Sequence, residues 1–493
     1  RGVPLRAVRQ QRLQGIALSP SGRRLYVTGG GPNGKAYVVN PQNGDVTAEL
    51  TVGHTPGGPV VSPDGNTLYV CNRFDDSVSV IDLKTRKTQA EIPVLREPGA
   101  AVLARGGKDL YVLNLLPKSR ADGDYTACSV TVIDTQTHEV ITNIALPNGS
   151  NQLLGICLSP DGQYVYVTHV LARYQLPTTQ LERGWVNTNA MSVIDTGTRS
   201  MRKLVNTVLL DDVDLGAANP WGIACTADGQ SICVAHAGTD QISVIDRAQL
   251  HERLDKAAKG EKVTDVVQNA DDVPNDLSFL VGAKKRIKLA GKGARSLTII
   301  GSTVYVGEYF SDTLTLVDLA SQRPSRVSSV ALGSDGTESI VRKGEMLFND
   351  ANLCFQKWQS CASCHTCDAR VDALNWDLLN DGLGNPKNTK SLLLSHATPP
   401  SMSLGVRATA EEAVRAGIRH IQFAVRPESD AEAIDAYLKS LKPVPSPHLE
   451  KGKLSKSAVR GKAVFEKAQC GRCHSGPYHT NKRSYDVGTG LNR

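Results

Sequence analysis

The sequence predicts a multidomain chain: an all-β propeller over residues 1–332, followed by a smaller, mainly α-helical domain over residues 333–493. Three observations predict it. A unit of about 40 residues recurs through the first two thirds. Near Leu332 the two-residue alternation of apolar side chains gives way to helical spacing, as in Ala410–Phe423 and Ala431–Leu441. Finally, 44 glycines and 24 prolines against 5% aromatic residues call for many tight turns. At 493 residues the chain exceeds what one ordinary core organises. Charged residues at 21% and hydrophobic residues at 40% exclude wholesale disorder. No apolar run approaches the ~20 residues of a membrane helix, so no membrane span is expected. A net charge of +7 spread over scattered Lys and Arg argues against a nucleic-acid partner. The chain opens on Arg1 without a basic-then-apolar leader, so a processed or incomplete chain is expected.

The recurring unit is a Ser-Pro-Asp-Gly turn followed by a Tyr-Val strand. Ser62–Pro63–Asp64–Gly65 leads to Leu68–Tyr69–Val70, and Ser159–Pro160–Asp161–Gly162 leads to Val165–Tyr166–Val167. Variants precede Tyr26, Tyr111, Cys233 and Tyr305. A second alternating strand ending in Asp follows, as in Val78–Ser79–Val80–Ile81–Asp82 and Val130–Thr131–Val132–Ile133–Asp134. Four antiparallel strands per unit cannot bury both faces alone, and packing them radially solves this with few exposed edges. Six blades are visible between about residues 15 and 332. Residues 1–14 read as the outer strand of another, so a seventh is expected if chain is missing upstream. The repeats resemble the YVTN family of β-propellers. Two insertions interrupt them, 171–190 in the fourth blade and 251–288 in the fifth, the second charged and partly helical.

The residue just after each Tyr-Val strand is expected on one propeller face near the channel. His169, His236 and Glu308 on successive blades either bind a divalent metal or line a polar, solvated mouth. Cys225 and Cys233 flank a turn, and either pair as a disulfide or are separate buried thiols.

The chemistry lies in the last third. Cys361-Ala-Ser-Cys364-His365 and Cys470-Gly-Arg-Cys473-His474 are both Cys-x-x-Cys-His. Two thiols three residues apart reach the two vinyl groups of one haem, and the adjacent imidazole becomes the iron's proximal ligand. Two such motifs in one helical domain predict two covalently bound haem c groups, with His365 and His474 on the irons. A zinc site would want four ligands gathered together. Cys354 and Cys367 bracket the first motif, and a disulfide between them is the preferred reading. Covalent haem places the chain in the periplasm or on the extracellular face of a bacterium.

The segment from Trp376 through Asn388, Thr389 and Ser391, with Gly461–Phe465 before the second motif and Ser475–Gly476–Pro477 after it, resembles the bacterial dihaem cytochrome c peroxidase and MauG superfamily. The likeness spans residues 335–493, and the fusion to a propeller looks like that superfamily's YVTN-repeat members. The resemblance implies that the first haem is the reactive, peroxide-binding one and that the second relays electrons to it. Asn388 matches the family's motif after the first haem. Residues 366–387 contain no His where many peroxidases place a distal one, which points to an open distal side as in MauG. His396 lies just beyond and either acts as ligand or acid/base or is a core histidine. The family's bridging Trp is absent; Trp376 either substitutes for it or packs. Moving a proton at a distal oxygen needs a polar group, for which His420, Gln422 and Glu428 are candidates, with His420 preferred. The sixth ligand of the second haem lies well past the second motif in relatives, so an incomplete C-terminus is expected.

These readings predict a periplasmic dihaem c-type oxidoreductase reducing hydrogen peroxide. A small donor protein of cytochrome c or cupredoxin type supplies the electrons, and the propeller is its docking platform. The alternatives are MauG-like oxidation of a protein or organic substrate held by the propeller, and a non-catalytic electron-transfer or surface-binding cytochrome.

Overall fold

A computed structural model describes residues 13–176, 186–197, 201–321, 327–333, 338–377 and 386–485. Six four-stranded antiparallel sheets follow one another along the chain, spanning 13–51, 56–93, 98–145, 150–209, 220–288 and 294–331. They form a six-bladed β-propeller. Within each sheet consecutive strands pair, so every blade is a simple meander.

The repeat's turn works as its residues suggest. In blade 4, Ser159 Oγ donates to Asp161 Oδ1 at 2.5 Å and accepts from Tyr164 N at 2.9 Å, while Gly162 takes φ +69°. Ser62–Asp64 and Thr226–Asp228 repeat the arrangement in blades 2 and 5. First strands of successive blades pack side by side from blade 1 through blade 6. Gly155 marks how closely: a Cβ there would lie 1.9 Å from the carbonyl oxygen of Trp221 in blade 5. Apolar clusters fill the spaces between blades, such as Tyr111, Val130 and Val132 of blade 3 against Val165 and Val167 of blade 4.

No comparable packing joins the first strands of blades 6 and 1. Blade 1 instead exposes Leu13, Ile16 and Leu18, and the outer part of blade 6 exposes Val330 and Leu332. Of the segment expected to begin a seventh blade, residues 1–12 lie outside the described residues. Leu13 and Gln14 open the first strand of blade 1 itself, because Leu13 pairs with Gly29.

Both insertions are elaborations of strands. The first lengthens the middle hairpin of blade 4, whose strands Tyr164–Ala172 and Asn187–Asp195 are nine residues each. The second begins earlier than expected, with helix α1 (Arg247–Ala258) capped by Asp246, whose side chain accepts from Gln249 N. It ends in Lys284–Lys288, which is the fourth strand of blade 5.

The four longer helices after the propeller are α2 (Ile340–Asn349), α3 (Ala410–His420), α4 (Glu428–Ser440) and α5 (Lys456–Lys467). Leu347 and Phe348 of α2 pack on Ile434, Tyr437 and Leu438 of α4, with Ala362 of the first Cys-x-x-Cys-His loop in the same cluster. The two helices cross almost backbone to backbone, since a Cβ on Gly344 would lie 1.8 Å from the Ala433 carbonyl. Gly344→Ala is therefore expected to push them apart and cost about 1–3 kcal/mol. A thermal melt would show it; an unchanged midpoint would contradict this packing. No helix among the described residues is long and apolar enough to cross a membrane.

Candidate functional site

The two Cys-x-x-Cys-His segments have the same local build. Each pair of cysteines sits on one turn of 3₁₀ helix, Cys361–Ser363 and Cys470–Arg472. His365 N donates to Cys361 O at 3.0 Å, and His474 N to Cys470 O at 2.9 Å. Each imidazole then engages a main-chain carbonyl through Nδ1: His365 with Lys390 O at 2.9 Å, His474 with His479 O at 3.1 Å. Such a contact fixes the tautomer and leaves Nε2 with its lone pair outward, which is how a ligating histidine is held. Burial pulls the His365 pKa down, keeping the ring neutral. Two thiols and one oriented imidazole, twice over, fit haem c. Among the described residues no group of three or more His, Cys, Asp or Glu is placed to hold a bare metal ion.

Their surroundings differ. The first loop is seated on the propeller, at the end of the blades away from the Asp-Gly turns. Gln152 Nε2 donates to Ala362 O and Ser363 O at 2.9 and 2.6 Å. Asn187 Nδ2 reaches Gln359 Oε1 at 2.8 Å and the Cys364 sulfur at 3.4 Å. Asn189 Nδ2 donates to Trp358 O at 3.1 Å, and Asn219 Oδ1 accepts from Ser360 and Ser363 at 3.0 and 3.2 Å. All four amides are buried. Gly216 leaves room for the loop, because a Cβ there would sit 2.3 Å from Lys357 O. Ion pairs flank the contact, Arg73–Glu97 at 2.8 Å and Arg370–Glu97 at 3.2 Å. One propeller face is thus occupied by the chain's own loop. Burial pushes the Cys361 thiol up to about 12, and burial with the nearby Asp372 raises Cys364 as well. The second motif follows α5, which buries none of its residues; His474 is exposed.

Trp376 is buried with Leu374 against Ala172, Tyr174 and Val186 of the blade 4 hairpin, and Cys364 packs on the same cluster. Its Nε1 donates to Asp372 Oδ2 at 2.7 Å. It belongs to the junction beside the first motif, with no residue of the second in its cluster. Burial lifts the Asp372 carboxyl to about 6. Asn388 is exposed on a two-residue strand paired with Asn375–Trp376. Lys390, two residues on, supplies the carbonyl for His365.

Several expectations are corrected. His396 is no distal group, since Nε2 meets Asp435 Oδ1 at 3.0 Å and Nδ1 meets Ser395 Oγ, while Asp435 also binds Arg415 at 2.5 Å. It is a structural brace between its loop and α4. His420 is exposed on the last turn of α3, a surface residue placed favourably for the helix dipole. Glu428 pairs with Arg415 on the surface. Gln422 remains: it is buried, its main-chain oxygen accepts from Phe355 N at 2.9 Å, and its side-chain Oε1 has no partner.

His169, His236 and Glu308 do not converge on a metal. Each makes its contacts apart from the others: His169 Nε2 with Ser192 Oγ, His236 Nε2 with Ser243 Oγ while its Nδ1 has no partner among the described residues, and Glu308 with Thr313, Thr315 and Gly291 N just before its blade. Asn72 bonds Ser77 and Ser79 the same way, so the position is a blade-stiffening one. Cys225 lies opposite Ile232 and Cys233 opposite Ala224, which puts the two thiols on opposite faces without a disulfide. The thiol near Cys225 is Cys157 of blade 4, at 3.8 Å. Cys354 also keeps a free, buried thiol directed at Phe355 O, so it forms no disulfide with Cys367, whose side chain lies outside the described residues.

No protein-family model matches the chain. Two curated proteins of Kuenenia stuttgartiensis are similar to it. Hydrazine synthase subunit gamma is 33% identical over 171 residues, 31% of this chain and 48% of the relative. Hydrazine synthase subunit beta is 27% identical over 194 residues, 39% of this chain and 47% of the relative. The similarity to these two hydrazine synthase subunits covers 31% and 39% of this chain. It spans about half the length of each of these two relatives. A solved structure of Kuenenia stuttgartiensis hydrazine synthase superimposes with TM-score 0.44 and 24% identity, covering 62% of this chain and 94% of that one.

Proposed function

We propose that the chain is a dihaem c-type oxidoreductase component of a hydrazine-forming assembly, acting outside the cytoplasm with a small electron-carrying protein as partner. The observation that carries this is the pair of identically built Cys-x-x-Cys-His loops, in a chain similar to two different subunits of one enzyme. Bound haem would supply one-electron chemistry and an iron position open to a small ligand. This chain would hold the two groups through Cys361, Cys364 and His365, and through Cys470, Cys473 and His474. Gln152, Asn187 and Asn219 would fix the first loop against the propeller, and Trp376 with Asp372 would wall its inner side. The buried, unpartnered side-chain oxygens of Asn187 and Gln422 would be the polar groups available to steady a protonated ligand. The exposed second loop would face the electron carrier.

A second reading, peroxide reduction or peroxide-driven oxidation of another substrate, rests on the motifs around Asn388 and the second Cys pair. One experiment separates them. The haem-loaded protein is followed by optical and EPR spectroscopy while hydrazine, and separately hydrogen peroxide, is added. A high-spin ferric signal that shifts with hydrazine and survives peroxide unchanged is the expected result. Rapid bleaching or conversion by peroxide alone would favour the second reading. Two low-spin signals indifferent to both would overturn both and leave electron transfer.

A further inference from the structure

Between blades 1 and 2, at the end of the propeller that carries the tight turns, lies a cleft of about 490 Å³. Its rim holds the guanidinium groups of Arg23, Arg24 and Arg86, and no acidic residue lines it. All three arginines are exposed, and none has a carboxylate partner among the described residues. Leu50, Leu83 and Tyr26, all buried, form its floor, and Pro41, Asn40, Gln42 and Thr47 share its wall.

Tyr26 shows why the cleft is there. The tyrosine of the equivalent strand in later blades reaches across to the next blade. Tyr111 donates to the main-chain oxygen of Thr196 at 3.3 Å, and Tyr166 meets Arg247 at 2.9 Å and His251 at 2.7 Å. Thr196 and Arg247 each follow the Asp that ends the third strand. In blade 2 that position is Leu83, after Asp82, and it offers no side-chain partner. Among the described residues the Tyr26 hydroxyl has none either. The junction that Tyr111 and Tyr166 close by hydrogen bonds is here open, with a phenol that makes none beside three unpaired cations.

We infer that this cleft is a binding site for a small organic oxyanion, a carboxylate or phosphate monoester carrying a compact apolar body. The arginines and the Tyr26 hydroxyl meet the oxyanion through charge-assisted hydrogen bonds. The apolar body lies against Pro41 and the floor made by Leu50 and Leu83, filling a cleft of about 490 Å³ that an inorganic ion would leave largely to water. The site lies at the opposite end of the blades from the first Cys-x-x-Cys-His loop and shares no lining residue with either loop.

Isothermal titration of the full-length protein with phenyl phosphate, benzoate and inorganic phosphate tests this. Phenyl phosphate or benzoate is expected to bind with a dissociation constant below about 1 mM, and inorganic phosphate about tenfold more weakly. Arg24→Ala and Arg86→Ala, both surface changes, are expected to weaken binding about tenfold each with unchanged melting temperature. Leu83→Thr, which offers the Tyr26 hydroxyl a partner, is expected to weaken it about threefold. Equal binding of inorganic and phenyl phosphate would show a plain cationic surface and overturn the inference. So would binding indifferent to both arginine variants, or none of the organic probes binding at 10-fold above that ~1 mM limit.

Discussion

A Cys361→Ala/Cys364→Ala variant is expected to carry one covalent haem where the parent carries two, with the propeller still folded. The two thioether positions of each group come from one short turn, and the two turns share no residue or contact cluster. The second loop, on the exposed α5 segment, should mature regardless. Stoichiometry from a haemochrome spectrum of the denatured protein would read about half of the parental value, and the Cys470→Ala/Cys473→Ala variant should give the same half. Two groups retained after either change would defeat the assignment of these loops. Removing His365 alone should keep the covalent group and change its spin state, which separates ligation from attachment.

The largest expected effect on stability is at Asp211, beneath the seat of the first loop. Its carboxyl is fully buried and accepts from Asn189 N at 2.7 Å, Asn189 Nδ2 at 2.9 Å and Ala217 N at 2.6 Å. Asp211→Ala strands two main-chain donors in the interior and frees the amide that holds Trp358 O, for about 3 kcal/mol at pH 5. Burial raises the carboxyl from 3.8 to about 6. Between those values the native state binds more protons than the unfolded one, so this group's contribution is full at low pH and is lost as pH rises through about 6. The shift corresponds to about 3 kcal/mol. The parent's advantage over Asp211→Ala should therefore shrink from pH 5 to pH 8. Asp372, raised to about 6 by the same cause, keeps a similar slope in both proteins. Urea unfolding at the two pH values would show this, and a gap that widens with pH would contradict the burial argument.

Much of the propeller was legible because each blade repeats the same chemical instruction. Ser159, Asp161 and Gly162 make a turn from their own atoms, and Val165–Tyr166–Val167 alternates across a sheet whatever the neighbours. The two Cys-x-x-Cys-His loops were legible for the same reason, their geometry being local. What depends on which strand faces which was not. His169, His236 and Glu308 looked convergent because they share a repeat position, yet the position points into its own blade, where Ser192, Ser243 and Thr315 wait. Cys157 and Cys225 meet only because blades 4 and 5 pack together. The amides Gln152, Asn187, Asn189 and Asn219 went unnoticed, although amides in otherwise buried strands such as Asn187–Asp195 signal a partner from elsewhere in the chain. His396 and His420 resembled distal groups by sequence distance alone. Three-dimensional packing ties the first to Asp435 and leaves the second in water.

The seating of the first loop also sets an order of events during maturation. Joining a macrocycle to Cys361 and Cys364 requires access to both sulfurs in their nucleophilic, ionised form. In the finished fold burial holds both as un-ionised thiols, Gln152 clasps the carbonyls between them, and Cys364 rests against Tyr174. A haem joined to this pair would therefore have to be attached before docking. The ribosome delivers the propeller first, so the blades would wait with their amide-lined end bare until the loop arrived already loaded. The second pair, after its exposed helix, would stay within reach of an attachment machinery after the first had closed.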